Sequence, residues 1–408
     1  MKNLSFHGKK VLVRVDFNVP LDANHRITDD TRMRAALPTI RMILDQGGAV
    51  ILMSHLGRPL KKKRPDGTLD VEAFTLRHLV DHLKEITHAS VHFADDCIGT
   101  TAASAAQALL PGEILLLENT RFHEGEEKGD PAMAKALASL GDIYINDAFG
   151  TAHRAHASTA IMASYFPPEN RAFGLLMDAE LANAARTMDH PERPLVAIVG
   201  GAKVSDKILL LENLLEKVDG LIVGGGMAYT FIKAQGGSIG QSLVEDDRLD
   251  LARQLIEKAR AKHVRFLLPP DSLIADRFAP DAETRIVPTA EIPDGWMGLD
   301  IGPEAIASFR AMILEARTIL WNGPMGVFEM PAFATGTLQV AQALAEATAG
   351  GAFSLVGGGD SVTAVNQMGL ADQVSFVSTG GGAMLELLEG KTLPGVAAIR
   401  DQDLPAKD

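Results

Sequence analysis

The sequences VLVRV at residues 11–15 and AVILM at residues 49–53 are almost entirely apolar and have the length of a β-strand. Similar runs recur as EILLL at 113–117 and DIYI at 142–145, and in the second half as LVAIV, GLIV, RFLL, TIL, FSLV and VSFV. Strands that are buried on both faces have this near-continuous apolar character. Because longer segments with helical periodicity separate the runs, the alternation predicts parallel sheets wrapped by helices.

The length of 408 residues predicts more than one domain, because single hydrophobic cores stop growing well below that size. Residues 175–188 have one apolar helical stripe and are followed by Pro191 and Pro194, which is typical of a connector between domains. We therefore predict an α/β fold of two doubly wound parallel-sheet (Rossmann-like) domains joined by a hinge helix. The predicted bounds are 1–174 for the N-terminal domain, 175–193 for the interdomain helix and hinge, 194–390 for the C-terminal domain and 391–408 for a tail.

Composition excludes several classes of protein. The formal net charge of −13 argues against general binding to nucleic acid or to membrane surfaces, which requires a positive field. The only cysteine, Cys97, cannot form an intramolecular disulfide or a multi-thiolate metal site, and is interpreted as inert. No segment reaches the ~18 to 20 apolar residues of a membrane span, and residues 1–14 lack the pattern of a signal peptide. We expect a cytoplasmic protein.

The residues that follow the first-half strands are rich in arginine. In open parallel sheets ligands bind beyond the carboxyl ends of the strands, so these residues are the ones to examine for function. For a single arginine a surface salt bridge is the commoner explanation, but several at one edge favour a small, highly anionic ligand. His55 and His153 alone would more often be structural. The converging set predicted here is Arg32, His55, Arg58, Arg121 and Arg154.

The residues that follow the second-half strands are instead rich in glycine. Glycine lets backbone amides approach a phosphate, and a helix that begins just afterwards adds its positive dipole end. Any one of these segments alone would be a tight turn, but five on one edge predict a nucleotide site. The segments are GGAK (200–203), GGG (224–226), NGP (322–324), GGGD (357–360) and TGGG (379–382).

Lys203 and Lys207 lie near the start of the predicted helix 204–218, where a cation is electrostatically disfavoured. A bound anion would relieve that conflict. Four residues apart, the two ammonium groups can lie on one helix face and reach the same phosphate chain. Two solvated lysines remain the alternative. A P-loop is excluded because Leu385 stands where its first glycine belongs, and no dinucleotide fingerprint is complete.

Taken together, nine segments resemble the phosphoglycerate kinase family over nearly the whole chain and in the family's order. They are DFNVP (16–20), SHLGRP (54–59), ENTRF (118–122), FGTAHRAHAS (149–158), GGAKVSDKI (200–208), WNGPMGVFE (321–329), GGGDS (357–361), STGGGA (378–383) and the tail LEGKTLPGVAAI (388–399).

This resemblance implies reversible phosphoryl transfer in glycolysis, from 1,3-bisphosphoglycerate to Mg-ADP, giving 3-phosphoglycerate and ATP. It implies a monomer with a hinge, a tail that returns to the N-terminal domain, and Mg²⁺ bound with the nucleotide. The implied 3-phosphoglycerate residues are Asp16, Phe17, Asn18, Arg32, His55, Leu56, Gly57, Arg58, Arg121 and Arg154. The implied nucleotide residues are Gly201, Ala202, Lys203, Lys207, Gly298, Glu329, Gly358, Gly359, Asp360 and Ser361, with Asp360 holding Mg²⁺ through the nucleotide.

The sequence departs from the family's usual pattern in two places: Ser361 replaces a usual threonine, and PPDS at 269–272 replaces a usually valine-rich stretch. Residues 401–408 are predicted to be an unstructured end. An acyl phosphate donor needs no catalytic base, so the task of the site is to align and neutralise charge. Domain closure is expected to exclude water from the transfer. The candidates for the catalytic role are Arg32, Lys203 and the amides of Gly380, Gly381 and Gly382.

Two other functions remain open at this stage. A non-catalytic phosphometabolite-binding protein on the same scaffold would keep the arginines and lose Lys203, Asp360 or the glycine turns, all of which are present. A kinase acting on another carboxylate is disfavoured by the arginine set rather than excluded.

Overall fold

The computed structural model describes residues 1, 4–402 and 404, which divide into two units. Unit 1 contains residues 1–181 and the chain from Thr392 onward, and unit 2 contains Ala182–Lys391. The division falls inside one helix, Leu175–Met188. The domain boundaries given above stay predictions.

Unit 1 is built on a six-stranded sheet with the order β3-β4-β2-β1-β5-β6, in which every neighbouring pair is parallel. The chain crosses from one side of β1 to the other between β4 and β5, which places a topological switch point beside β1. The strands are β1 (Lys10–Val15), β2 (Ala49–Met53), β3 (Val91–Ala94), β4 (Ile114–Leu117), β5 (Ile143–Asp147) and β6 (Arg171–Phe173).

Helices cover both faces of this sheet. Val11 and Val13 pack into one core with α1 and α3, whereas Leu12 packs into a second core with α4 and α6, because successive strand side chains point to opposite faces. The helices are α1 (Thr31–Asp45), α2 (Val71–Phe74), α3 (Val80–Thr87), α4 (Gly99–Ala108), α5 (Glu124–Lys128), α6 (Pro131–Ala138) and α7 (Leu175–Met188).

Unit 2 contains a second six-stranded parallel sheet with the order β10-β8-β7-β15-β16-β17. Antiparallel strands β12, β11 and β14 form a separate small sheet, and β9 pairs with β13. The strands are β7 (Leu195–Val199), β8 (Gly220–Val223), β9 (Ser238–Ile239), β10 (Arg265–Leu267), β11 (Asp271–Ala275), β12 (Thr284–Pro288), β13 (Glu291–Ile292), β14 (Met297–Ile301), β15 (Thr318–Asn322), β16 (Phe353–Gly357) and β17 (Phe376–Val377).

Two parallel doubly wound sheets are the fold class expected from the apolar runs, and that prediction is confirmed. The antiparallel sheet was not expected. The remaining helices are α8 (Ile208–Leu215), α9 (Met227–Ala234), α10 (Leu249–Ala261), α11 (Pro303–Glu315), α12 (Thr335–Ala349), α13 (Gly359–Gln367), α14 (Gly381–Leu388) and α15 (Pro394–Ile399).

The last helix, α15, lies within unit 1. The amide of Gly395 donates to the carbonyl oxygen of Ala152 at 2.8 Å, and Ile399 packs against the core that contains Leu12. Asp401, the first residue of the predicted unstructured end, is held in place, because it accepts a hydrogen bond from the buried Arg171 at 2.7 Å. Residues 403 and 405–408 lie outside the described residues.

Among residues 1, 4–402 and 404, no helix combines the length and the apolar character that crossing a bilayer requires.

Candidate active site

An arginine and a carboxylate meet at the carboxyl end of β1. Nη1 of Arg32, in the first turn of α1, donates to the carboxylate oxygens of Asp16 at 3.2 and 3.1 Å and to the carbonyl oxygen of Asn18 at 3.2 Å. The side-chain oxygen of Asn18 accepts the amide of Gly57 at 2.8 Å. The side chain of Arg32 is 40% exposed. Arg32 therefore faces solvent while Asp16 balances its charge.

Polar side chains hold the segment that follows β2. The hydroxyl of Ser54 accepts the amide of Phe17 at 2.8 Å, and the side-chain amide of Asn119 donates to the carbonyl oxygen of Leu56 at 2.8 Å. Phe17 and Leu56 are themselves buried in the core. Any contact that these two residues make with a ligand must come from their backbone.

The remaining arginines of the predicted set lie near the same edge. Nη1 of Arg121 donates to the carbonyl oxygen of Gly57 at 2.9 Å, and its Nε lies 3.4 Å from Glu127. Burial, together with neighbouring positive charge, lowers the pKa of Arg121 from its ordinary value. Arg58 and Arg154 are exposed, and neither forms an ion pair with a carboxylate in the part of the chain that the structure describes. These two guanidinium groups have their charge available for an anion.

A fully buried arginine that was not assigned a role above lies beneath this edge. Arg14 on β1 donates from Nε to the hydroxyl of Ser158 at 2.8 Å, from Nη1 to the carbonyl oxygen of Val15, and from Nη2 to Nδ1 of His55 at 3.2 Å. Glu126 lies 4.0 Å away and also accepts the amide of Ser158 at 3.0 Å. Because arginine can only donate, Nδ1 of His55 is the acceptor, and neutral His55 carries its hydrogen on Nε2. The signal was visible, since Arg14 is the one charged residue in VLVRV.

Three histidines beside these arginines are held neutral. Burial is the main cause and adjacent arginines add to it, so the pKa of His55 is well below its ordinary value, that of His153 is about 4 and that of His156 is about 3. Arg121 contributes to all three shifts and Arg154 to the last two. The field at this edge is positive enough to oppose further protonation, as a site for an anion requires.

Three turns of unit 2 pack together backbone to backbone. The amide of Gly201 donates to the carbonyl oxygen of Pro324 at 3.2 Å. The amide of Met227 donates to the carbonyl oxygen of Gly201 at 3.0 Å. A Cβ at Gly200 would lie 2.0 Å from the Pro324 oxygen. A Cβ at Gly225, where φ is +67°, would lie 2.6 Å from the Gly201 nitrogen. Only glycine permits this approach.

Lys207 points its ammonium group into this cluster of turns. Its Nζ donates to the backbone oxygen of Asn322 at 2.9 Å and to the side-chain oxygen at 2.5 Å. Burial lowers the pKa of Lys207 to about 8, against the opposing effect of Asp360 and Asp206. At neutral pH the ammonium is still charged, and it is fixed at the carboxyl end of β15.

The expectation that Lys203 and Lys207 share one helix face is wrong. Helix α8 begins only at Ile208, after a short turn held by the amide and hydroxyl of Ser205, which both donate to the carboxylate of Glu245. The four-residue helical spacing therefore does not relate the two lysines. Lys203 is exposed, whereas Lys207 is turned inward.

The turn after β16 presents one acidic group and buries one hydroxyl. Ser361 is fully buried, and its hydroxyl accepts the amide of Gly323, so it joins this turn to the one after β15. Asp360 is exposed in the first turn of α13. Gly358 has φ of +91°, and a Cβ there would lie 3.0 Å from Nδ2 of Asn322, an atom that is buried without a partner in the described chain. Asn322 belongs to a quoted motif, but the sequence alone gave it no role.

The N-termini of α13 and α14 lie side by side. A Cβ at Gly381 would lie 3.3 Å from the amide nitrogen of Gly359, and Gly380 donates its amide to the hydroxyl of Ser378 at 3.2 Å. Gly359 and Gly382 are exposed. Helix N-termini leave amides without intrahelical partners and have a positive dipole end, so the pair favours an anion.

The other predicted nucleotide residues differ in accessibility. Gly298 on β14 is buried, its amide donates to the hydroxyl of Ser242 at 2.9 Å, and a Cβ there would lie 2.0 Å from the Tyr229 hydroxyl. Glu329 and Ala202 are exposed. The absence of a side chain at Gly298 thus leaves space for the Tyr229 hydroxyl, whereas the exposed carboxylate of Glu329 can reach a ligand.

Comparison with known proteins agrees with this geometry. A sequence model described as phosphoglycerate kinase matches residues 1–391. The chain is 54% identical to a phosphoglycerate kinase of Porphyromonas gingivalis, with 98% of this chain and 99% of the relative covered. It is also 55% identical to one of Synechococcus elongatus, with 97% and 96% covered.

Solved structures give the same result. The structure of phosphoglycerate kinase from Coxiella burnetii matches with a TM-score of 0.87 and 43% identity, and that from Pyrococcus horikoshii OT3 with 0.79 and 30%; each match covers 98% of both chains. A non-catalytic binding protein finds no support among these relatives. The residues 1–391 that match the family carry both the arginine-rich and the glycine-rich turns, and the chain belongs to the phosphoglycerate kinase family.

Proposed function

We propose that this chain transfers the acyl phosphoryl group of 1,3-bisphosphoglycerate to Mg-ADP, reversibly, giving 3-phosphoglycerate and ATP in glycolysis. One observation carries the proposal: a single chain of this family combines an edge of arginines with an edge of packed glycine turns. The first suits a small polyanion and the second suits a phosphate chain. A phosphoryl transfer between the two ligands accounts for both.

On the substrate side, the exposed Arg58 and Arg154 bind phosphate and carboxylate groups together with Arg121. His55 is neutral and acts as a hydrogen-bond donor through Nε2, because Arg14 occupies its Nδ1. Asp16 holds Arg32 until the substrates are bound. Asn18 and the backbone of residues 56–57 shape the same surface.

On the nucleotide side, exposed backbone amides and lysines bind the phosphates. Gly359 and Ala202 supply amides, Gly201 holds its turn against Pro324, and Lys203 and Lys207 supply charge. Glu329 binds the ribose hydroxyls as an exposed carboxylate. Ser361 and Gly298 act through the backbone that they position, since both are buried.

The residues around Asp360 fit a magnesium ion that is bound together with a nucleotide. Asp360 is an exposed carboxylate in the first turn of α13. The space beside the neighbouring Gly359, where a Cβ would lie, is open among the described residues. One or two carboxylates plus phosphate oxygens form the usual magnesium site in such enzymes. Bound Mg²⁺ would neutralise part of the negative charge of the phosphates.

The chemistry needs no general base, because the donor is a reactive mixed anhydride. Arg32, Lys203 and the amides of Gly381 and Gly382 stabilise the migrating group, whose negative charge is spread over three oxygens. The amide of Gly380 donates to the Ser378 hydroxyl, so Gly380 positions the other two amides. The histidines are neutral at physiological pH and take no proton during the step. We propose further that the protein is a monomer of the cytoplasm.

A coupled assay tests the proposal. Purified protein with 3-phosphoglycerate, ATP and Mg²⁺ should form ADP, and the rate should vanish when either substrate or the magnesium is omitted. Other phosphorylated and simple carboxylic acids serve as alternative acceptors. A rate with one of them that exceeds the rate with 3-phosphoglycerate would identify a different carboxylate kinase, and no ADP formation with any acid would refute the assignment.

A further inference from the structure

One carboxylate of unit 2 contacts the turn that carries Lys203, although its negative charge opposes the binding of an anion there. Glu245 belongs to the segment between β9 and α10 and binds Ser205, two residues after Lys203. It lies outside the segments that resemble the family, and the proposed phosphoryl transfer assigns it no role. A negative charge close to phosphate weakens the attraction that the lysines provide. The position of Glu245 therefore has a cause other than its charge.

The carboxylate of Glu245 accepts hydrogen bonds from both the backbone and the side chain of Ser205. The Ser205 amide donates to Oε2 at 3.0 Å, and the Ser205 hydroxyl donates to Oε1. Burial alone would raise the pKa of Glu245. The hydrogen bonds from Ser205 and from the amide of Val204, together with the charge of Lys203, outweigh burial and lower that pKa from its ordinary value. Glu245 is therefore ionised at neutral pH and can only accept.

Lys203 stands between two fixed points of the backbone. On its N-terminal side, the amide of Gly201 donates to a carbonyl oxygen of the turn after β15 at 3.2 Å. On its C-terminal side, the side chain of Val204 is fully buried and Ser205 is bound to Glu245. The exposed side chain of Lys203 leaves the chain between these points. Its direction therefore depends on both of them.

The segment that carries Glu245 is anchored independently of Ser205. The amide of Glu245 donates to the hydroxyl of Thr230 at 3.1 Å, and Thr230 is a buried residue of α9. Three residues earlier, the hydroxyl of Ser242 accepts the amide of the buried Gly298 at 2.9 Å. Glu245 therefore connects the turn of Lys203 to the interior of unit 2.

We propose that Glu245 is a positioning residue for Lys203: by binding Ser205, it fixes the backbone from which the Lys203 ammonium reaches the migrating phosphoryl group. The inference rests on the proposed function, because Lys203 has its catalytic role there. Glu245 acts through Ser205 and makes no contact with the nucleotide, since Ser205 occupies both of its carboxylate oxygens.

Steady-state kinetics of Glu245→Ala test the proposal. Turnover should fall roughly ten- to hundredfold, because a displacement of about 1 Å at a reacting group has an effect of that order. The KM for 3-phosphoglycerate should change less than about twofold, since that ligand binds elsewhere. In a Lys203→Ala background, Glu245→Ala should lower turnover by less than about twofold, because a residue that acts only through Lys203 has nothing left to position. A full loss in that background as well would overturn the proposal.

Two further substitutions at the same position separate geometry from charge. Glu245→Gln keeps the length of the side chain and an acceptor for the Ser205 amide, so its turnover should lie closer to the wild type than that of Glu245→Ala. Glu245→Asp keeps the charge but is one carbon shorter, so its turnover should fall. Glu245→Asp tests the proposal even where Glu245→Ala does not fold, and wild-type turnover in Glu245→Asp would overturn it.

Calorimetry with ADP gives a second answer that does not require kinase activity. If the carboxylate acted only through its charge, Glu245→Ala and Glu245→Gln would both bind ADP more tightly than the wild type, because each removes the same negative charge. That result would overturn the proposal. Positioning predicts instead that neither variant gains affinity for ADP.

Asp246→Ala is the matched control. Asp246 is the neighbouring carboxylate, is mostly exposed and pairs with Lys233 of α9 at 2.7 Å. Its loss should change turnover less than about twofold. Wild-type protein that forms no ADP with any acid would refute the proposed function. An active wild type in which Lys203→Ala is impaired and Glu245→Ala is not would refute this inference alone.

Discussion

The arginine edge of unit 1 and the glycine edge of unit 2 present their proposed ligand-binding groups in opposite ways. In unit 1 the groups are charged side chains, supported from below by buried polar side chains such as Arg14 and Asn119. In unit 2 they are chiefly backbone amides on turns that touch one another with no side chain between them, as at Gly200 and Gly225. The first edge should be sensitive to the loss of a functional group, and the second to the gain of a methyl group.

The largest expected effect is on turnover at the arginine edge. Arg32→Ala should lower turnover by roughly 10³ to 10⁵, the range typical of an arginine that stabilises a phosphoryl-transfer transition state. Binding of both substrates should change only a few-fold, because Asp16 already satisfies Arg32 before the reaction. Steady-state kinetics and calorimetry on the same variant separate the two quantities.

Arg34→Ala is the matched control for that experiment. Arg34 lies on the same helix, is 59% exposed and pairs with Asp30 outside the site, so its loss should change turnover less than about twofold. If Arg32→Ala loses affinity for 3-phosphoglycerate in proportion to turnover, Arg32 only positions the substrate, the role that we propose for Arg121.

The second prediction adds a methyl group to the glycine edge. Gly225→Ala should destabilise unit 2 by roughly 2–4 kcal/mol, because the Cβ would overlap the Gly201 backbone and φ is positive. Both tryptophans, Trp296 and Trp321, lie in unit 2, so tryptophan fluorescence during denaturation reports on that unit.

Gly359→Ala is the paired variant for the same edge. No atom of the described residues lies within 4 Å of a Cβ at Gly359, so the fluorescence midpoint should stay near that of the wild type. Nucleotide affinity should nevertheless fall if phosphate approaches that amide. A stable Gly225→Ala protein would show that the turns are not packed as described.

The third prediction concerns pH. Burial lowers the folded-state pKa of Lys207 to about 8, so its ammonium is present below about pH 8 and is lost above it. A bound phosphate favours the charged form, so nucleotide affinity should fall above about pH 8 by up to about tenfold per pH unit. Lys207→Met should bind nucleotide weakly and without that dependence. Calorimetry from about pH 7 to about pH 9 makes the measurement, and an identical pH dependence in both proteins would remove Lys207 from the site.

Strands buried on both faces could be predicted residue by residue, as the runs AVILM and LVAIV show for β2 and β7. The antiparallel strands could not. β12 (TRIVP) is mostly exposed, so its sequence does not need the continuous apolar run that marks a buried strand. β11 directly follows two prolines, which favour a turn. Single charged or glycine residues after strands were visible in the sequence because residue type alone identifies them.

The supporting contacts of the site were beyond the sequence, because they join residues far apart in the chain. Arg14 meets Ser158 across 144 positions, and Lys207 meets Asn322 across 115. Such pairs depend on the order of strands in the sheet, which apolar runs do not determine. Ser361 was assigned to nucleotide binding through the family resemblance alone, and its hydroxyl accepts the amide of Gly323 in another turn.

Ser361 gives the smallest expected effect on nucleotide affinity and the sharpest distinction between the two kinds of edge. Ser361→Ala leaves the buried amide of Gly323 without its acceptor, which should cost about 1–3 kcal/mol of unit 2 stability, measured by the fluorescence of Trp321 next to that turn. Ser361→Thr, which restores the residue usual in the family, keeps the acceptor and should lie closer to the wild type. Because the glycine edge depends on turns that support each other, nucleotide affinity should weaken in Ser361→Ala only as the turn loosens. If affinity falls while the unfolding midpoint does not move, the hydroxyl binds the nucleotide directly, and the glycine edge also relies on a side chain.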